Sequence, residues 1–154
     1  MPAINFQLRF ARKIITGQKT ATIRQSRKRP MKEGDKIYLY HGMRVLKPAV
    51  LLGTAIICEV RPLRLDTENY WIEPLWDGLN REVMPHPFTD KIAKELLGFK
   101  DWIAAMKFYE ESYPNKKKID AEITLWSDFK PNQNGVDRIH QLLPSKSKQL
   151  ELDL

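Results

Sequence analysis

An α+β domain, in which a small mixed or antiparallel β-barrel carries two to four flanking helices, is the fold that the sequence predicts. Three observations lead there. Stretches rich in β-branched or alternating apolar residues recur at 20–24, 36–41, 49–65 and 119–126. Helical spacing intervenes at 8–16, 89–97 and 99–113. The order of these segments lacks the regular strand–helix alternation that builds a parallel sheet.

Each element has a local cause. In 8–16, Leu8, Ala11, Ile14 and Ile15 fall on one helical face, and Gly17 sits where a left-handed residue would stop the helix. Thr20 to Arg24 is β-branched and reads as a strand, and the charged stretch 25–33 reads as a loop. Gly34-Asp35 marks a turn into a strand in which Ile37 and Leu39 face one way and Tyr38 and Tyr40 the other. The apolar run 49–65, interrupted at Gly53, predicts one long bent strand or a strand pair at the centre of the sheet. Its single cysteine, Cys58, is expected to be a buried thiol.

From 66 to 87 the pattern breaks into Trp, Pro and Gly, predicting a long excursion that carries Trp71 and Trp76. Thr89 is the expected N-cap of a helix ending at Leu97, with Gly98 as its stop. Phe99, Ile103, Met106 and Tyr113 then define the buried face of a second helix, which Pro114 ends. Residues 119–126 alternate strictly and predict a closing strand. We place the domain at 1–129 and a flexible tail, with a helical turn or two at 136–143, at 130–154.

Composition narrows the function. The chain has 154 residues, room for one ordinary domain, and no apolar run long enough for a membrane helix. No leader-like apolar segment opens it, so a cytoplasmic protein without membrane contact is expected. Of 26 Lys+Arg, 12 lie in residues 1–48 beside only 2 Asp+Glu, whereas the remainder of the chain is slightly acidic. A block this polarised attracts phosphates, because neutralised phosphates release counterions. Nucleic acid is therefore the first partner to consider. His41, His86 and His140 have no metal-ligand spacing with each other or with Cys58, so no metal and no cofactor are expected.

Gly17 to Arg24 invites comparison with a phosphate-binding loop but lacks its Gly-Lys step, since Gln18 intervenes and position 12 is Arg. What remains is Lys19 in a turn, the hydroxyls of Thr20 and Thr22, and Arg24 on the face of Thr22. The basic loop adds Arg27, Lys28 and Arg29. Tyr38 and Tyr40 offer rings on which bases could stack, and Arg44 offers a further phosphate contact.

The string Gly17-x-Lys19-Thr20-x-Thr22-Ile23-Arg24, followed by Gly34-Asp35 before Tyr38-Leu39-Tyr40, Gly42-Met43-Arg44, and Gly98-Phe99, resembles the ASCH domain family over roughly residues 4–127. The resemblance implies a PUA-like fold and a cleft that takes RNA, single-stranded nucleic acid or a modified nucleoside. It also implies, for some members, removal of an acyl group from 4-N-acetylcytidine by a Lys, Thr and Glu set, or ribonuclease activity. Lysine and threonine carry over to Lys19 and Thr22, with Lys19 taking the proton of a Thr22 nucleophile. That role requires Lys19 to sit in the turn, because residues 19 and 22 of one regular strand face opposite ways. The family's acid falls at Leu97 in this chain. Glu95 is on the opposite face of a helix from that position, leaving Glu73, Asp77 or Glu82 as other sources of an acid.

The last residues, Gln149-Leu150-Glu-Leu152-Asp-Leu154, put three leucines on one side of an extended strand. They resemble peptides that dock bacterial proteins onto the replication sliding clamp, so that clamp is a further expected partner.

Overall fold

The computed structural model describes residues 2–75 and 86–143, without the side chains of 86–88. The strand that organises it is β4, Val50–Asp66, seventeen residues long. β3, Lys36–His41, pairs antiparallel with its first half and β5, Trp71–Pro74, with its end. β6, Lys118–Pro131, runs antiparallel along it and pairs in turn with β2, Ala21–Gln25. β1, Ala3–Phe6, adds in parallel to the free side of β3, giving the order β1-β3-β4-β6-β2. Neither β1 nor β5 was expected as a strand.

A strand of this length cannot stay flat. Register shifts against β6 lie between Thr54 and Ile56 and between Ile57 and Glu59. Each inserts an unpaired residue and increases the local bend. Cys58 is the extra residue of the second shift, and it is exposed rather than buried as its apolar neighbours suggest. Gly53 sits where β6 crosses so closely that a Cβ would stand 2.3 Å from the Lys130 carbonyl oxygen.

The curled sheet does not close into the expected barrel. β1 and β2 are its two ends and share no ladder, since β1 pairs with β3 and β2 with β6. The ends nevertheless meet through side chains. The Arg24 guanidinium on β2 donates to the Asn5 carbonyl oxygen on β1, and Arg27 donates to that of Ala3 at 3.4 Å. The fold is thus an α+β domain with a six-stranded mixed sheet left open at a seam that arginines bridge.

Helices cover the sheet and frame that seam. α1, Leu8–Ile15, buries Phe10, Ala11 and Ile14 and ends before Gly17 at φ 80°. α2, His86–Ile92, begins three residues before the expected cap, so Thr89 lies inside it, and it continues as a π-helical turn over Ala93–Leu97. Gly98 stops it at φ 78° as its position predicts. α3, Trp102–Ser112, is capped by Asp101, whose carboxylate accepts from the Ala104 amide at 2.8 Å. Ile103 is exposed, because α3 starts at Trp102, after Phe99, and its buried face runs through Trp102, Ala105, Met106 and Tyr109. β6 runs past the boundary placed at 129, and α4, Gln133–Leu142, buries Val136 and Ile139 beside β4.

The core between these layers is apolar and continuous, from Ile4 and Phe6 through Leu39, Leu52 and Leu65 to Trp102. The Trp102 indole donates to the Tyr70 carbonyl oxygen at 2.7 Å, satisfying its one polar atom.

Candidate functional site

Lys19 is 3% exposed, which for a lysine calls for a specific cause. Its amine donates to the Leu97 carbonyl oxygen at 2.7 Å. Beside it the Thr20 amide donates to Leu96 at 2.9 Å and the Lys13 amine to Gly98 at 2.6 Å. These are carbonyls at the C-terminal end of a helix, which have no partner within the helix and carry its negative dipole end. The turn after α1 therefore docks on the end of the π-helical turn, and Lys19 sits before β2 rather than in it.

Three phenyl rings enclose the amine. Its nitrogen lies 4.9 Å from the ring centre of Phe10, 5.7 Å from Phe6 and 5.9 Å from Phe99. Burial holds the lysine pKa well below its ordinary value, and the charges of Arg24, Lys13 and Arg9 push it the same way. Ring faces favour the charged form and so act against this shift.

Lys19 forms part of the wall of a cavity of about 430 Å³ that opens at the β1–β2 seam. Thr22, Arg24 and Arg44 line it with Asn5 and Gln7, and Phe6, Phe10, Phe99, Phe108, Tyr109 and Tyr113 supply its apolar faces. Phe10, Phe99 and Phe108 meet edge to face or tilted, with ring centres 5.3–5.4 Å apart. Arg9 covers it from outside, its guanidinium carbon 4.6 Å from the Phe10 ring centre. Neither Asp nor Glu is among the described lining residues.

Arg24 links the cavity to the fold. It lies 5.0 Å over Phe6, and its Nε is buried with no hydrogen-bond partner among the described residues. Burial lowers its pKa, Arg27 adds to the effect, and the tyrosines 113 and 109 oppose it. Tyr109 is itself pushed far up by burial, so its phenol stays protonated. The Thr22 hydroxyl makes no hydrogen bond among the described residues.

The expected residues are thus divided. Lys19, Thr22, Arg24 and Arg44 come together. Thr20 faces its backbone partners, Leu96 and Trp126, outside the cavity lining. Arg27, Lys28 and Arg29 are exposed beside the seam, and Arg27 alone reaches β1. Tyr38 and Tyr40 stand half-buried on the face of β3 opposite Ile37 and Leu39, away from the cavity. Leu97 contributes a main-chain oxygen where the resemblance implies an acidic side chain, and that side chain is fully buried. Glu73 lies 3.7 Å from Arg64 and does not line the cavity, whereas Asp77, Glu82 and Trp76 lie outside the described residues. So do Gln149, Leu150, Leu152 and Leu154. The phenylalanine enclosure was not foreseen: its rings come from β1, α1 and the segment after Gly98, and each reads locally as core.

Fold and site define a class, an open-seamed α+β domain whose seam leads to a cationic, phenylalanine-walled cavity. No family model matches the sequence, and no curated protein matches it. Among solved structures, the chain is similar to those of the ASCH protein of Zymomonas mobilis. One, a tyrosine-to-phenylalanine mutant, superposes with a TM-score of 0.47 at 18% identity over 92% of this chain and 82% of the other. The ASCH structure without a named mutation gives 0.44 at 17% over 97% and 90%.

Proposed function

We propose that the cavity binds a nucleotide, free or within RNA or another single strand, with the phosphate on Arg24 and Arg44 and the base among the phenylalanine rings. The observation that carries this reading is the composition of the wall: two arginines, a lysine amine, packed aromatic rings, and no carboxylate among the described lining residues. Such a surface favours a ligand that is planar at one end and anionic at the other. The buried Arg24 Nε–H has no acceptor among the described residues, and a phosphate oxygen would supply one. Lys19 retains N–H groups for a base carbonyl beyond the one given to Leu97.

Titration with ribonucleoside monophosphates and short single-stranded RNA tests this. Arg24→Gln and Arg44→Gln are each expected to weaken binding about tenfold, the loss of one charge-assisted contact. If a strand places two phosphates on these arginines, affinity should fall roughly sevenfold between about 50 and 200 mM salt. Neutralising Arg27, Lys28 and Arg29 should flatten the salt slope for RNA and leave the mononucleotide unchanged. Binding indifferent to salt and to both cavity arginines would refute the reading.

A second reading is favoured by the shared location of Lys19 and Thr22, which is what acyl transfer from 4-N-acylcytidine to a Thr22 nucleophile requires. Acetate release that disappears in Thr22→Ala tests it. Cleavage of RNA in the same assay would favour a ribonuclease. Clamp docking by residues 149–154 is a separate proposal, tested by binding that depends on Gln149 and Leu152 and survives Lys19→Met.

A further inference from the structure

We propose that Lys19 is a nucleophile that captures an aldehyde or ketone carrying an anionic group, forming a reversible imine inside the cavity. The proposal takes the cavity as an anion site, as above, and adds a covalent step to it.

Two environments are known to make a lysine amine nucleophilic, an apolar enclosure and a neighbouring cation. Lys19 has both. Phe6, Phe10 and Phe99 surround its nitrogen within 6 Å, and Arg24, Lys13 and Arg9 are the charges that act on it. No carboxylate among the described residues holds its proton, since its one hydrogen-bond partner is the neutral Leu97 carbonyl. Burial and these charges both favour the unprotonated amine, the form that adds to a carbonyl. The hydrogen bond to Leu97 fixes the nitrogen at the cavity wall, and Arg24 and Arg44 stand on the same cavity to hold an anionic group.

The chemistry balances without a further reactant. The nitrogen lone pair forms a bond to the carbonyl carbon, and the C–O π pair moves to oxygen. A proton passes from nitrogen to that oxygen to give a carbinolamine. Loss of the second nitrogen proton together with the hydroxyl group then yields C=N and one water. Thr22, whose hydroxyl has no partner among the described residues, lines the cavity where it can pass the proton to the departing oxygen.

Pyridoxal 5′-phosphate, an aldehyde with a phosphate, is the probe. The full-length protein is incubated with one equivalent, reduced with borohydride, digested and mapped by mass spectrometry. The adduct is expected predominantly at Lys19 among the 16 lysines of the chain. Labelling should be about a hundredfold slower, two contacts of about tenfold each, with pyridoxal, which lacks the phosphate, and with the Arg24→Gln, Arg44→Gln double variant. Lys19→Arg keeps a long basic side chain in place but cannot form the imine, so it should lose the adduct while a thermal melt reports that it is folded. Adducts spread over surface lysines, or a rate indifferent to the phosphate, overturn the proposal. Ribose 5-phosphate and a single strand with one abasic site, trapped the same way, separate a free sugar phosphate from a nucleic acid as the source: the one that labels Lys19 faster names it. Nucleotide titration of the same protein keeps the two readings apart. Nucleotide binding with unlabelled Lys19 removes only the imine, and labelled Lys19 without nucleotide binding removes only the nucleotide.

Discussion

Lys19→Met is expected to weaken nucleotide binding by about one to two orders of magnitude while raising the melting temperature. The loss reflects removal of the buried donor that faces the ligand, worth about 1–3 kcal/mol. The gain follows from what Lys19 does to the empty protein. Its amine is enclosed by phenyl rings, acted on by three cations, and balanced by no carboxylate among the described lining residues. A thioether of similar length fills the same space without a charge to desolvate. The lost hydrogen bond to Leu97 works against this gain, because that carbonyl closes a helix end. We expect the net effect to be of order 1 kcal/mol in favour of the variant, or roughly 2–4 °C.

The pH dependence separates this cause from a general packing effect. Folding lowers the Lys19 pKa from the ordinary 10.5, so between the two values the unfolded chain holds more protons than the native one. Stability therefore rises with pH across that window. The deficit of the wild type relative to Lys19→Met is full below the folded-state pKa, shrinks as pH rises, and vanishes above 10.5. Melting curves of both proteins from about pH 6 to pH 11 read this directly. A variant that is less stable than the wild type at pH 6 would show that Lys19 is a structural cap of the helix end and no functional residue. A side chain kept at a cost to stability is what a functional site requires.

Much of this was legible in the sequence because it depends on neighbours along the chain. The Gly17 stop, the Gly34 turn, the long apolar strand and the Gly98 stop follow from local rules, and the structure places each where those rules do. Lys19 before the strand and Thr22 and Arg24 on it are likewise local. The open seam was not legible, because it depends on whether β1, four residues with no distinctive pattern, reaches β2 or β3. The aromatic enclosure failed for a related reason. Phe6, Phe10 and Phe99 lie on three separate segments, and only their packing around one amine distinguishes them from ordinary core residues. Cys58 misled because its apolar flanks predict burial, whereas the bulge that turns it outward is set by the register of a strand more than sixty residues away.

Gly135→Ala should cost about 3 kcal/mol or more, a fall of roughly 6–12 °C, the opposite of the gain that alanine normally brings to a helix. Gly135 lies in the first turn of α4, and its amide donates to the Asn132 cap at 3.0 Å. A Cβ there would stand 1.7 Å from the Leu51 carbonyl oxygen and 2.7 Å from its carbon. Both obstacles are main-chain atoms of the central strand, so no rotamer change relieves them, and helix and strand must separate. Separation exposes Val136 and Ile139, which seal the end of the sheet. Asn134→Ala, one residue earlier and exposed, is the control and should be near neutral. If Gly135→Ala melts at or above the wild type, α4 does not pack on β4 and the domain ends with β6. The cavity takes none of its described lining residues from α4. Ligand binding in Gly135→Ala, measured well below its melting point, should therefore match the wild type.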